Sequence, residues 1–245
     1  MEIILITFIA GLISAFIGSL ISGASSMISI TALLVLGVPA HLSLSTFRFS
    51  NIFWHIGGLF EYAKKKKVVW KYVIPLILIT IPTTILGVKL ALSIDEEFFA
   101  KILKVLILIF IPLTLLNKKL GVEPRVVTKT KVKIGYFFNA VIRVWAGMFP
   151  FGAGIFHTYN YVYFFGLTLL QLKGTSRIPG IASNLVGFLT FLYAGVVDWK
   201  LALSLGFGML FGGFIGARYT IRIGDNILRY FLILSIIFLI IKSFL

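Results

Sequence analysis

The chain lacks cysteine and is poor in acidic residues, with 8 Asp and Glu among its 245 residues. Without cysteine it can form no disulfide, no thiolate metal site and no cysteine nucleophile. Charged residues make up 13% of the sequence and hydrophobic residues 59%, whereas a soluble domain is about a quarter charged. The apolar residues form long runs rather than alternating, which excludes an outer-membrane barrel as well as a soluble enzyme. We therefore expect an all-α polytopic membrane protein.

Basic residues outnumber acidic residues by 23 to 8, which gives a formal net charge of +15. In a membrane protein this excess is typical of cytoplasmic loops that follow the positive-inside rule, and it requires no nucleic-acid partner. The N-terminus, Met1-Glu2-Ile3, has no basic region. We therefore expect the first apolar run to remain as a helix rather than to be cleaved as a signal peptide.

Ten apolar elements are separated by charged residues, glycine or proline. The longest polar stretch, 117–133, is basic and is predicted to link two regions of five elements each, 1–116 and 134–245. The predicted elements cover residues 3–21, 27–36, 46–62, 70–92, 99–116, 134–148, 155–165, 176–194, 199–221 and 227–241.

The two regions resemble each other when the chain is shifted by about 129 residues against itself. The shift pairs Gly23 with Gly152, Thr46 with Thr175, Arg48 with Arg177, Gly58 with Gly187, and Trp70 with Trp199. Arginine and tryptophan are rare in this chain, so chance pairing is a poor explanation. The pattern predicts an internal duplication.

Because each copy has an odd number of elements, the second copy is predicted to lie upside down in the membrane. With the basic linker in the cytoplasm, the lysine run 64–67 and Lys173 are inside. The acidic loop 95–97 and the loop 195–198 are then outside, as are both termini. The predicted number of crossings is eight to ten, because the short elements 27–36 and 155–165 either cross or fold back as re-entrant hairpins.

Each copy has a glycine-containing break after its first element. The breaks are predicted to bind an anion through backbone N–H groups at a helix start, and tight helix packing is the alternative interpretation. The residues assigned to this cradle are Gly23, Ala24, Ser25, Gly152, Ala153 and Gly154.

Arg48 and Arg177 occupy the same repeat position, each just after a hydroxyl-bearing residue. We expect both to lie at a helix start, where the hydroxyl caps the helix and the guanidinium binds an oxyanion. The neighbouring candidates are Thr46, Thr175 and Ser176. The alternative is that both arginines reach lipid headgroups at the interface.

Further polar residues lie inside apolar elements, where they are costly and therefore candidates for function. They are Arg143, Asn51, His55 and Asn184. The interior is thus predicted to be rich in basic and amide groups and poor in carboxylates, which favours an anion over a cation or a proton pump. No spacing predicts a metal site, catalytic residues or a cofactor.

Three stretches resemble a known family. They are Gly195-Val196-Val197-Asp198-Trp199-Lys200, Gly212-Gly213-Phe214-Ile215-Gly216-Ala217-Arg218, and Thr175-Ser176 followed by Asn184. Together with the Gly-containing breaks they are similar to the TauE/SafE sulfite exporter family, also called the toluene sulfonate uptake permease family. The resemblance implies transport of sulfur oxyanions or organosulfonates across the cytoplasmic membrane.

The sequence therefore predicts a secondary transporter in the cell membrane that moves small anions by alternating access between inverted repeats. Sulfite, thiosulfate, sulfate and organosulfonates are the leading substrates. An anion channel of the same architecture and a non-transporting membrane scaffold are the alternatives. The expected partners are the anion and the lipid bilayer, with a proton or sodium as candidate coupling ion and a homo-oligomer left open.

Overall fold

The computed structural model describes residues 2–95, 97–99, 101–102, 124–151 and 153–244, with backbone only at 226 and from 228 onward. Most of the predicted fifth element, 99–116, and the first part of the basic linker lie outside these residues. So does Gly152 of the second predicted cradle.

The described residues form helices and contain no strand, which confirms the all-α prediction. A short 3-10 turn, Trp70–Tyr72, precedes the fourth α-helix. The α-helices are α1 Glu2–Leu20, α2 Ala24–Val35, α3 Ala40–Lys64, α4 Val73–Leu92, α5 Lys129–Met148, α6 Ala153–Phe164, α7 Leu169–Thr175, α8 Arg177–Tyr193 and α9 Trp199–Phe244. Gly224 interrupts α9 with non-helical backbone angles (φ 76°, ψ 175°), between the last two predicted elements.

Three helical stretches are long and apolar enough to cross a membrane: Glu2–Leu20, Trp70–Leu92 and Trp199–Asp225. Their outward faces carry large apolar side chains that no other part of the described chain covers. Examples are Leu5, Ile9, Ile74, Leu78, Phe207 and Phe211. Such a belt would be unfavourable in water but suits a hydrocarbon surround, so the chain is an integral membrane protein.

The helix bounds recur at the same offset that pairs the residue types of the two copies. Helix α6 begins and ends at the positions equivalent to the two ends of α2, and α7 and α8 together span the range equivalent to α3. Two turns also recur, because Gly37 and Gly166 both have positive φ, as do Lys66 and Gly195. The recurrence of bounds and turns supports the duplication inferred from residue types.

The two copies pack across one another. Helix α1 packs along α9, and its counterpart α5 packs along α4. At the centre α3 crosses its own counterpart α8 in antiparallel fashion, because Arg48 lies at Gly187, His55 at Gly180 and Gly58 at Arg177. Antiparallel equivalent helices are what a two-fold axis through the crossing would produce, and they support the predicted inversion.

Helix starts differ from the prediction in two places. Helix α3 begins at Ala40 after Pro39, so Arg48 lies in its interior and Thr46 caps no helix start. The reason is that Pro39 marks the start, and residues 40–46 contain no glycine or proline that would interrupt the helix. Helix α5 begins at Lys129, where the Thr128 side chain accepts from the Lys131 N–H, so the end of the predicted linker is helical.

Lys173, assigned above to a cytoplasmic loop, lies inside α7 with 6% of its surface exposed. It therefore does not count as a loop charge in the argument for orientation. The lysine run 64–67 and the loop around Gly195 carry that argument.

The orientation of the two copies is testable because the chain has no native cysteine. We expect a cysteine at Lys65 to react with a membrane-impermeant maleimide only from the cytoplasmic side, and one at Ala194 only from outside. Both residues are exposed turn neighbours at related repeat positions. Labelling of both cysteines from the same side would contradict the inverted repeat.

Candidate anion-binding site

A cavity of about 150 Å³ lies at the crossing of α3 and α8, beside the breaks before α2 and α6. Four cationic side chains line it: Arg48, Arg143, Arg177 and Lys173. All four are buried, with 6% exposure or less. No acidic residue is among the described residues that line it. Buried charges are normally paired, so this arrangement leaves a concentrated positive charge without a carboxylate partner.

Most of the residues predicted as a site lie around this cavity although they come from several different helices and breaks. Those that line it are Gly23, Arg48, Asn51, His55, Arg143, Ala153, Gly154, Ser176, Arg177, Asn184 and Ser25. Ala24, Thr46 and Thr175 do not line it. Gly152 lies outside the described residues.

The two breaks meet at the cavity. A Cβ placed on Gly154 would lie 2.5 Å from the backbone N of Gly23, so only glycine allows this approach. Gly23 itself has φ +90°, a conformation that L side chains rarely adopt. Helix α2 starts directly after it, and the Ser25 hydroxyl on the cavity wall is buried without a hydrogen-bond partner. The start of α2 therefore places an unpaired hydroxyl and the positive end of a helix dipole at the cavity wall.

Arg48 joins the first copy to the end of α5. One Nη donates to the carbonyls of Ala146 (2.7 Å) and Gly147 (2.6 Å), which belong to the last turn of that helix. Its Nε is buried without a partner. Arg48 thus has a structural role at a helix C-terminus and retains donor capacity beside the cavity.

Arg177 is held by aromatic side chains of α3. Its guanidinium lies over the Trp54 ring at 4.2 Å and over the Tyr62 ring at 5.4 Å, and Nη1 donates to the Trp54 carbonyl at 3.1 Å. Stacking fixes the plane of the guanidinium, which lies on the cavity wall. A lysine could not reproduce this planar contact.

Each arginine rests on a glycine of the opposite copy. A Cβ on Gly187 would lie 2.8 Å from Nη1 of Arg48, and a Cβ on Gly58 would lie 2.7 Å from Cζ of Arg177. Gly58 and Gly187 occupy equivalent repeat positions, as do the two arginines, so the arrangement is reciprocal. The absence of a side chain at both glycines makes room for the two guanidinium groups.

Arg143 enters from α5 and has no repeat counterpart of the same type, since Ser14 occupies the equivalent position in the first copy. Its Nε is buried without a hydrogen-bond partner. His55 Nδ1 and both ring nitrogens of His157 are also buried without partners. The cavity therefore contains several donors and exchangeable N–H groups that no described protein atom satisfies, which is the setting for a polar ligand.

The predicted threonines act elsewhere. Thr175 Oγ1 accepts from the Val69 N–H at 2.9 Å and thereby joins the two copies behind the cavity. Thr46 is buried within α3 away from the cavity wall. The expectation that both hydroxyls cap helix starts beside the arginines was wrong, because Arg48 is a helix-interior residue. Ser176 does precede Arg177 at the start of α8, but its side chain makes no cap.

Sequence reasoning did not assign Lys173, His157, Trp54 or Ser183 to the site, and the structure places all four on the cavity wall. Lys173 was assigned to a loop because it lies between the predicted elements 155–165 and 176–194. Trp54 could have been found from its place between one and two turns after Arg48 on the same helix. His157 follows the second break by one turn, which was the available signal for it.

The arrangement suits reversible binding of an anion. Guanidinium groups, unpaired hydroxyl and ring N–H donors and a helix N-terminus all favour negative charge. Among the described residues no group of three or more His, Cys, Asp or Glu could hold a metal ion.

Comparison with known proteins places the chain in its family. The family described as Sulfite exporter TauE/SafE matches residues 6–243. A probable membrane transporter protein, ORF9 of Sinorhizobium sp, is 28% identical over 96% of this chain and 90% of its own length. Probable membrane transporter proteins of Haemophilus influenzae (25% identical, 93% of this chain, 89% of its own length) and Escherichia coli K12 (YfcA; 24%, 91% and 83%) are similar. No solved structure matches the chain.

Proposed function

Because the chain belongs to the sulfite exporter TauE/SafE family and is a membrane transporter, we propose that it is a secondary transporter of small oxyanions. Sulfite, thiosulfate and sulfate are the leading substrates. Arg48 and Arg177 bind the anion together with Arg143, and the start of α2 adds backbone and hydroxyl donors.

The observation that carries this proposal is the charge of the cavity. Three arginines and one lysine line it, and none of the described lining residues is acidic. Transfer of such charges out of water is expensive unless a counter-charge joins them. A mobile anion supplies that counter-charge. When the anion leaves, the buried positive charge is again unpaired, and this favours binding of the next anion.

The cavity has room for a small anion. A volume of about 150 Å³ is roughly ten times the ~10–15 Å³ that holds one water on this measure, so a compact oxyanion enters together with several waters. Organosulfonates are candidate substrates alongside the inorganic sulfur oxyanions.

Alternating access is supported by the crossing of α3 and α8. The cavity lies at their antiparallel contact and beside both helix breaks, which is where transporters with inverted repeats bind substrate. In such a scheme small motions of one copy against the other would expose the same arginines to each side in turn.

Proteoliposomes test the proposal. We expect uptake of labelled sulfate, sulfite or thiosulfate that saturates with concentration and is accelerated when the same unlabelled anion fills the vesicle. Such acceleration requires a carrier whose binding site returns across the membrane with an anion bound. Flux without saturation or exchange would indicate an anion channel, and no flux with any of the three anions would contradict the proposal. The Arg218→Ala variant, altered at an exposed arginine away from the cavity, is the matched control.

A further inference from the structure

The cavity contains two histidines that the anion-binding proposal does not use. His55 on α3 and His157 on α6 both line it. Arg143 and Arg177 line the same cavity. Three of the four ring nitrogens of the two histidines are buried without a hydrogen-bond partner. A buried imidazole is usually held in one tautomer by a neighbour, and here no described atom does so for His157.

The charged side chains that share the cavity with this pair are basic: Arg48 on α3, Arg143 on α5, Lys173 on α7 and Arg177 on α8. Tyr161 on α6 adds a phenol ring beside His157. Helix α9, which packs along α3, has its carboxylate at Asp225, which accepts from the Leu170 N–H and does not line the cavity. With the cavity empty, the four basic charges oppose a further proton on either imidazole. An anion bound among them offsets their repulsion of a protonated imidazole. Its negative charge therefore favours proton uptake by the nearest ring.

We propose that the transporter binds its anion together with a proton, which His157 accepts with His55 as its neighbour. The inference rests on the proposed function and identifies the coupling ion as a proton rather than sodium. Sodium needs several oxygen ligands and is repelled by nearby positive charge, and the described cavity wall has four basic side chains and no carboxylate. The imidazole ring nitrogens are suited to a proton.

Linkage gives the sign of the effect. If anion binding takes up a proton, lowering the pH must tighten anion binding, by up to about tenfold per pH unit for one proton. Arginines remain charged throughout this range and contribute nothing to the change. Sulfate is a suitable probe because it stays a dianion across the range from about pH 5 to 8 in which histidine titrates.

Calorimetric titration of the purified protein with sulfate, repeated in two buffers of different ionisation enthalpy, measures the protons taken up. Thiosulfate is the second probe. We expect net uptake in the wild type, its loss in His157→Gln and its reduction in His55→Gln. The matched control is His41→Gln, because His41 lies off the cavity, stacked on Phe99 at 4.7 Å. His41→Gln should leave uptake unchanged.

The outcomes separate the two proposals. If neither anion binds, the proposed function fails. If an anion binds without proton uptake, or binds more tightly when sodium replaces potassium, the proton proposal is overturned while anion binding stands. Uptake that survives in His157→Gln but disappears in Lys173→Met would overturn the assignment to histidine. The wild-type measurement decides the first two outcomes even if a glutamine variant fails to fold.

Discussion

Replacing Arg177 with alanine is expected to weaken sulfate or thiosulfate binding by about 10- to 100-fold. The change removes charge-assisted hydrogen bonds worth roughly 1.5–3 kcal/mol. It also removes the group stacked on Trp54 and Tyr62, but it leaves no helix terminus unsatisfied. Arg177→Lys should recover only part of the affinity, because lysine keeps the charge and loses the planar fork. Calorimetric titration of purified variants measures both effects.

Arg48→Ala should show a similar loss of affinity with an additional loss of stability. Its guanidinium binds the carbonyls of Ala146 and Gly147, and leaving such groups buried and unpaired costs about 1–3 kcal/mol. We therefore expect a lower thermal midpoint for Arg48→Ala than for Arg177→Ala.

Exposed Arg218 provides the control for both variants. Arg218→Ala changes the net charge by the same amount and should leave affinity unaltered. If Arg48→Ala loses stability but binds the anion normally, Arg48 only stabilises the C-terminal end of α5. Unchanged affinity in both alanine variants would contradict the assignment of these arginines to anion binding. It would not affect the fold or the family membership.

The second large effect is expected at the glycines that support the arginines. An alanine at Gly58 would place its Cβ 2.7 Å from Cζ of Arg177, whereas ordinary contact begins near 3.4 Å. The guanidinium must therefore move by several tenths of an ångström, which misaligns its donors with the anion. We expect Gly58→Ala and Gly187→Ala each to weaken binding by about tenfold without any change of charge.

This prediction separates an effect on binding from an effect on helix stability, because alanine stabilises a helix by about 0.5–1 kcal/mol relative to glycine. A loss of affinity with unchanged or raised thermal stability would identify both glycines as positioning residues. Gly206→Ala is the matched control, since its Cβ would meet the Phe53 ring at 3.2 Å and lies away from the cavity. Normal affinity in both glycine variants would mean that the arginine positions do not control binding.

The sequence predicted much of the fold because membrane helices are specified by composition and length. The apolar run that forms α1 was placed within one residue at each end, and the break before Ala153 within two residues of where α6 begins. One helix start was placed less accurately. Helix α3 begins six residues before its predicted start, directly after Pro39, because the prediction began the element at the longer apolar run and did not use the proline as a start signal.

Lys173 shows why part of the site could not be predicted. A lysine between two predicted apolar elements indicates a cytoplasmic loop in most membrane proteins, and the sequence offers no way to distinguish such a lysine from one buried in a cavity. The distinction depends on what packs around it. Residues from α3 and α8 enclose the same cavity wall only after the two copies have crossed.

The sequence by itself determined that this is an α-helical membrane protein with few acidic groups, and it predicts two related halves with basic groups in the interior. These properties follow from composition, spacing and rare-residue pairing, which are local or pairwise features of the chain. Only the tertiary structure decided that Arg48 and Arg177 meet at one cavity, each on the opposite copy's glycine. The depth and crossing of helices depend on close packing between segments far apart in the sequence, because small residues set how nearly two backbones can approach.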